Sequence, residues 1–88
     1  MPRYIIERTV GRLSREALDA AGRQSVKALS TMPGVIWIRS YVSDVEGKIY
    51  CEYDAPDAES IREHARRAGL PVDKISEVAL EINPYMFR

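Results

Sequence analysis

The periodic segments of this 88-residue chain follow one another in an order that limits the folds open to it. Four short runs rich in β-branched and aromatic residues alternate with two segments that repeat apolar residues at helical spacing, and turn-forming residues separate them. The predicted order is strand, helix, strand, strand, helix, strand. This order is typical of a ferredoxin-like α+β domain, in which two helices cover one face of a four-stranded antiparallel sheet. One such domain accounts for residues 1–88.

Local signals set the boundaries of these elements. The helices are predicted to begin after the N-cap residues Ser14 and Asp57 and to end at Pro33-Gly34 and Gly69. The strands are predicted at 3–10, 35–43, 48–54 and 74–82, and the middle two form a hairpin around the turn at 44–47. The apolar residues at 85–87 predict a docked tail.

Alternation along the strands sorts the side chains into two faces. The apolar set, predicted to lie beneath the helices, contains Tyr4, Ile6, Ile36, Ile38, Val42, Ile49, Cys51, Tyr53, Val78, Leu80 and Ile82. The opposite set mixes aromatic with charged side chains and contains Ile5, Glu7, Trp37, Arg39, Tyr41, Tyr50, Glu52, Glu77, Ala79 and Glu81. Large exposed aromatic side chains favour a covered surface. We therefore expect a homodimer in which two sheets stack into an α/β barrel.

The mixed face has two interpretations that the sequence leaves open. It can line a small-ligand pocket inside the dimer, with Glu7, Trp37, Tyr41 and Tyr50 as ligand-binding residues. It can also be a plain dimer interface with ion pairs at its rim. In the first case an enzyme that needs no cofactor, such as a monooxygenase or isomerase, is the alternative to a binding protein. No motif predicts a catalytic residue, and no loop of the phosphate-binding type occurs.

His64 and Cys51 are the candidate metal ligands. His64 is the only histidine and falls on the apolar face of the second helix, while Cys51 falls on the predicted inner face of the sheet. Imidazole and thiolate together suit nickel, copper or zinc. A buried histidine that only makes a hydrogen bond, and a cysteine that only packs, remain the alternatives for the two residues.

Composition excludes several classes of partner. Thirteen basic residues balance thirteen acidic ones, so no overall charge attracts nucleic acid. No apolar stretch is long enough to cross a bilayer, and the first residues do not form a signal peptide, which predicts a cytoplasmic protein without a membrane partner. A single cysteine agrees with a reducing compartment.

Three runs carry a resemblance to a known family. Residues 36–42 (IWIRSYV), 48–57 (KIYCEYDAPD) and 61–67 (IREHARR), with Gly69 and Pro71, resemble a bacterial family of unknown function that includes a nickel-binding, nickel-responsive protein. The resemblance extends from Tyr4 to Pro84. It implies a ferredoxin-like dimer and a bound nickel ion. Nickel-binding relatives carry an acidic-Arg-His-Asp stretch at the end of the first strand, where this chain reads ERTV.

Because that histidine is absent, His64, Cys51 and nearby carboxylates such as Glu7 are the remaining ligand candidates. The functional hypothesis is a small dimeric binding protein that holds a transition metal, nickel by resemblance, or a small ligand.

Overall fold

The computed structural model describes all residues, 1–88, and has the predicted order of elements. The strands are β1 (Arg3–Thr9), β2 (Ile36–Ser43), β3 (Lys48–Asp54) and β4 (Lys74–Glu77), and the helices are α1 (Arg15–Leu29) and α2 (Ala58–Ala68). A short 3-10 helix covers Pro84–Phe87. The sheet is antiparallel with strand order β2-β3-β1-β4, so the ferredoxin-like α+β prediction is confirmed. Neither helix combines the length and the apolar character that a membrane span requires.

The ends of the helices follow from local hydrogen bonding. At the start of α1 the Ser14 hydroxyl accepts from the Ala17 amide at 3.1 Å, and at the start of α2 the Asp57 carboxylate accepts from the Ser60 amide at 2.8 Å. These contacts satisfy amides that have no partner inside the helix. Gly69 ends α2 with a φ of +69°, in the left-handed region that favours glycine. Both predicted N-caps are confirmed.

The turn between β2 and β3 is tied to the end of β1. The Gly47 carbonyl accepts from the Val10 and Gly11 amides at 2.9 and 3.0 Å. Gly47 has a φ of +65°, and a Cβ there would lie 3.0 Å from the Gly11 Cα. A larger residue would therefore strain the backbone and separate the hairpin from the loop that leads into α1.

The core lies between the sheet and the helices. Tyr4, Ile6, Ile49, Cys51 and Tyr53 project from β1 and β3 toward the helices and are buried. Val35, Ala55 and Ile61 complete the same cluster. We call this side of the sheet the helix-covered face and the other side the open face. The predicted inner set is confirmed at these five strand positions.

A β-bulge in β2 makes part of the predicted face assignment wrong. Trp37 is opposite Tyr53 and Arg39 is opposite Glu52, so Ile38 is an extra residue in the ladder. Since paired residues share a face, Trp37 lies on the helix-covered face and not on the open face, and Ile36 lies on the open face. From Arg39 onward the predicted alternation holds. One inserted residue is enough to reverse the preceding positions.

The last strand is shorter than predicted, and it places one charge on the other face. β4 ends at Glu77, which pairs with Tyr4 and so lies on the helix-covered side. The Val78 amide still donates to the Arg3 carbonyl at 2.8 Å, but β1 begins at Arg3, so later residues have no strand to pair with. Leu80 and Ile82 are 73% and 61% exposed instead of buried. The predicted docked tail is also wrong for this chain by itself, because residues 79–88 are all exposed.

Candidate functional site

A groove of about 830 Å³ lies between α1 and the β2–β3 side of the helix-covered face. Its sheet wall includes Trp37, Val42 and Ile49, and its helix wall includes Leu18 and Gly22. A Cβ placed on Gly22 would meet no other atom within 4 Å, so the missing side chain leaves space beside the helix. We call this cavity the groove; most of its surface is apolar.

Arg8 lies at the inner end of the groove and is 1% exposed. It follows Tyr4 and Ile6 on the same face of β1, which carries it under the helices. Its Nε donates to the Cys51 Sγ at 3.5 Å and its Nη1 donates to the Pro71 carbonyl at 2.9 Å. Its Nη2 is buried and has no hydrogen-bond partner.

No carboxylate neutralises the Arg8 guanidinium. All ten ion pairs of the chain involve other residues, most of them on the surface. Arg8 also makes a cation–π contact with Tyr53, whose ring centroid is 5.9 Å from the Arg8 Cζ. Buried charges in proteins are normally paired, whereas this cation has neither a counter-ion nor a partner for its Nη2.

The rim of the groove is also basic. Arg23 and Lys27 line it one helical turn apart on α1. Asp19 is the acidic residue of the lining, and its carboxylate already accepts from the Arg15 Nε at 3.0 Å. The electrostatics of the groove therefore favour an anion.

His64 is fully buried between α2, α1 and the sheet. Its Nε2 lies 3.2 Å from the Ser25 hydroxyl and 3.3 Å from the Ser25 carbonyl, which indicates that Nε2 carries the proton. The Tyr53 ring meets the imidazole edge to face at 5.3 Å, and Nδ1 has no partner. Burial lowers the pKa of His64, the Ser25 carbonyl opposes the shift, and the Arg8 charge adds to it. The imidazole is therefore neutral at pH 7.

The two candidate metal ligands lie in the same layer but have different partners. Cys51 contacts Arg8, whereas His64 contacts Ser25 and Tyr53. No three His, Cys, Asp or Glu side chains lie close enough to one another to hold a metal ion. A guanidinium beside the thiol also repels a metal cation. The side chains of a single chain thus do not fit a nickel site, and the assignment of His64 and Cys51 as ligands stays a prediction.

The open face brings together three of the four predicted ligand-binding residues. Glu7 is opposite Tyr50, and Tyr50 is opposite Tyr41, so the three form a row across β1, β3 and β2. The Tyr50 hydroxyl donates to Glu46 at 2.6 Å; this bond and burial raise the pKa of Tyr50. Trp37 lies on the other side of the sheet, in the groove. The row and the groove are therefore separate surfaces.

Sequence reasoning missed Arg8 as a functional candidate, although a signal was present. Arg8 has the same parity as Tyr4 and Ile6, so alternation along β1 already predicts a charged residue on the buried face. A charge at such a position needs a partner, and none of its neighbours in the pattern supplies one.

Comparison with known proteins identifies the family. The chain matches the family described as "Nickel responsive protein SCO4226-like" over residues 4–78. Its structure is similar to a crystal structure of SCO4226 from Streptomyces coelicolor A3(2), with a TM-score of 0.79 and 25% sequence identity, over 91% of this chain and 99% of the other. None of the curated proteins compared with the chain matches it. The matched residues run from β1 to the end of β4 and include every residue of the groove. The chain therefore belongs to the nickel responsive SCO4226-like family.

Proposed function

We propose that this protein binds a small, mainly apolar molecule in the groove between α1 and the sheet. The observation that carries the proposal is a cavity of about 830 Å³ with apolar walls and a buried, unpaired guanidinium at its inner end. Binding sites for small molecules typically measure about 300 to 1,000 Å³ and combine apolar walls with a few polar groups. A gap in core packing would not be expected to hold an uncompensated charge.

The position of Trp37 supplies an assay. It is the only tryptophan of the chain and lies in the groove wall, with its Nε1 donating to Ser40 at 2.9 Å. The neutral fluorescent probe N-phenyl-1-naphthylamine should bind there and quench Trp37 by energy transfer in a saturable titration.

Two leucine variants test the location. Gly22→Leu places a side chain in the space beside α1 and should weaken probe binding at least tenfold, since the leucine occupies volume that the probe needs. Ala20→Leu adds a similar side chain at an exposed position of the same helix outside the groove and should leave binding unchanged. Equal binding by both variants, or no saturable quenching in the wild type, would refute binding in the groove.

We also propose that the protein is a homodimer through the open face. Support comes from apolar side chains that the single chain leaves exposed, Tyr41 at 63% and Ile36 at 49% on the open face, and Leu80 at 73% in the segment after β4. A second copy would cover them. Sedimentation should give about twice the chain mass of 10.0 kDa, and Tyr41→Arg should shift the protein toward the single chain. A wild type that sediments as a single chain at micromolar concentration would overturn this proposal.

Nickel binding is the second candidate function, and the family description is the observation that favours it. Because one chain offers no group of three donors, ligands from a second copy would have to complete a site. Calorimetric titration of tag-free protein with Ni²⁺ tests this candidate, with His64→Gln and Glu7→Gln as variants. Absence of saturable binding, or binding that neither substitution weakens, would exclude a site that uses these residues.

The structure gives less support than the sequence does to the alternative of a cofactor-free enzyme. It needs Trp37 beside Glu7, Tyr41 and Tyr50, and the β2 bulge separates Trp37 from the other three. A cytoplasmic location and the absence of a nucleic-acid partner stay predictions from composition.

A further inference from the structure

We infer that the ligand of the groove is a monocarboxylate with an apolar body, and that Arg8 binds its carboxylate through Nη2. This inference rests on the proposed function and adds the chemical class of the ligand. The juxtaposition that supports it is a buried cation, whose Nη2 has no hydrogen-bond partner, at the inner end of an apolar cavity.

The state of the guanidinium favours an anionic partner over a neutral one. Arg8 has 1% exposure, two hydrogen bonds to a thiol and a carbonyl, and no counter-ion. A buried ion that lacks a partner of opposite charge is destabilising, and a carboxylate supplies both the charge and an acceptor. Hydrogen bonds between guanidinium and carboxylate are among the strongest that side chains form.

The number of available donors favours a single negative charge. Nε donates to Cys51 and Nη1 donates to Pro71, so Nη2, which carries two N–H groups, is the one guanidinium nitrogen without any partner. Phosphate sites usually provide several donors around three oxygens, often with a helix N-terminus. A carboxylate needs fewer. Because neighbouring side chains cover Nη2, they must shift before a carboxylate can reach it.

The remainder of the groove selects the body of the ligand. Leu18, Val26, Trp37, Val42 and Ile49 are the large aliphatic and aromatic residues that line the groove between the sheet and α1. An aliphatic chain or an aromatic ring would displace water from these walls, and burial of its surface stabilises the complex. Arg23 and Lys27 at the rim would attract the anion before it enters.

Three amphiphiles with the same ten-carbon chain test the inference: decanoate, 1-decanol and decyltrimethylammonium. Each is titrated below its micelle concentration at pH 7.5, with displacement of N-phenyl-1-naphthylamine, followed by the recovery of Trp37 fluorescence, and calorimetry as the two readouts. Wild type should bind decanoate about 10 to 100 times more tightly than decanol, as expected for one charged hydrogen bond in a buried site, and should bind the ammonium least.

Substitution of Arg8 should change the ratio of the two affinities. In Arg8→Met the affinities for decanoate and decanol should become equal, whereas Arg8→Lys should keep part of the preference. Gly22→Leu should weaken decanoate binding, which separates the groove from adhesion to the exposed tail. The inference is overturned if wild type binds decanoate and decanol equally, or if Arg8→Met keeps the preference. Should Arg8→Met not fold, the wild-type comparison still decides.

The two proposals fail in different ways. If decanol binds in the groove and decanoate binds no more tightly, the proposed function is supported and the inference that the ligand is a carboxylate is refuted. If decanoate, decanol and the naphthylamine probe all fail to bind, both the proposed function and the carboxylate inference are refuted.

Discussion

Arg8→Met should stabilise the fold, because the native guanidinium is buried without a counter-ion. Burial of one ion costs several kcal/mol after relaxation. Against this cost stand one charged hydrogen bond of about 1.5 to 3 kcal/mol to the Pro71 carbonyl, a weak bond to a thiol, and a cation–π contact to Tyr53 at 5.9 Å. Pro71 is itself exposed, so water can replace the lost donor. Methionine keeps the length of the side chain and packs well against sulfur and aromatic neighbours.

The net effect should be a gain of about 1 to 2 kcal/mol in the free energy of unfolding, or a Tm about 4 to 16 °C higher for a domain of this size. Thermal and urea unfolding followed by circular dichroism measure both quantities, and Arg23→Met at an exposed position of α1 is the control. A loss of stability in Arg8→Met would mean that the contacts of the guanidinium outweigh its desolvation. In that case Arg8 is a structural residue, and the energetic basis for an anion site is refuted.

Three further predictions concern stability. Because burial lowers the pKa of His64 in the folded chain below its usual 6.5, the unfolded chain gains this proton before the folded chain does as the pH falls through 6.5. Stability should therefore fall by up to about 1.4 kcal/mol per pH unit in urea titrations, and His64→Gln should flatten that slope; an identical slope in the variant contradicts the assignment. Ser14→Ala removes the N-cap of α1 and should cost about 1 kcal/mol, and no change would show that the cap contributes nothing. Gly69→Ala places a Cβ on a left-handed residue and should cost about 1 kcal/mol, whereas a gain would mean that this conformation is not retained.

Most of the fold was predictable because its signals are local. Helical spacing, the two N-caps and the turn-forming glycines depend on neighbouring residues, and the structure places them where the sequence predicts. The two main errors depend on pairing between strands. The bulge at Ile38 depends on how β2 pairs with β3, and the end of β4 depends on where β1 begins. Neither the bulge nor the end of β4 can be predicted from the residues of that strand alone.

The candidate site was predicted only in part for the same reason. The sequence predicts Cys51 and His64 in the inner layer, where the structure has them, but their partners belong to other elements, Arg8 on β1 and Ser25 on α1. Strand alternation predicts Trp37 on the open face, whereas the bulge places it on the helix-covered face. The groove lies between residues of α1 and residues of β2 and β3, and no local pattern reports how a helix packs over a sheet.

A crystal structure of the protein soaked with 10-bromodecanoic acid would show whether a carboxylate binds Arg8 in the groove, because anomalous scattering from bromine locates the far end of the ligand independently of the carboxylate. We expect a carboxylate oxygen about 2.7 to 2.9 Å from the Arg8 Nη2, with the bromine toward the rim of the groove beside Trp37. Bromine bound only on the open face near Tyr41, or a carboxylate that points into solvent while Arg8 stays unpaired, would contradict it.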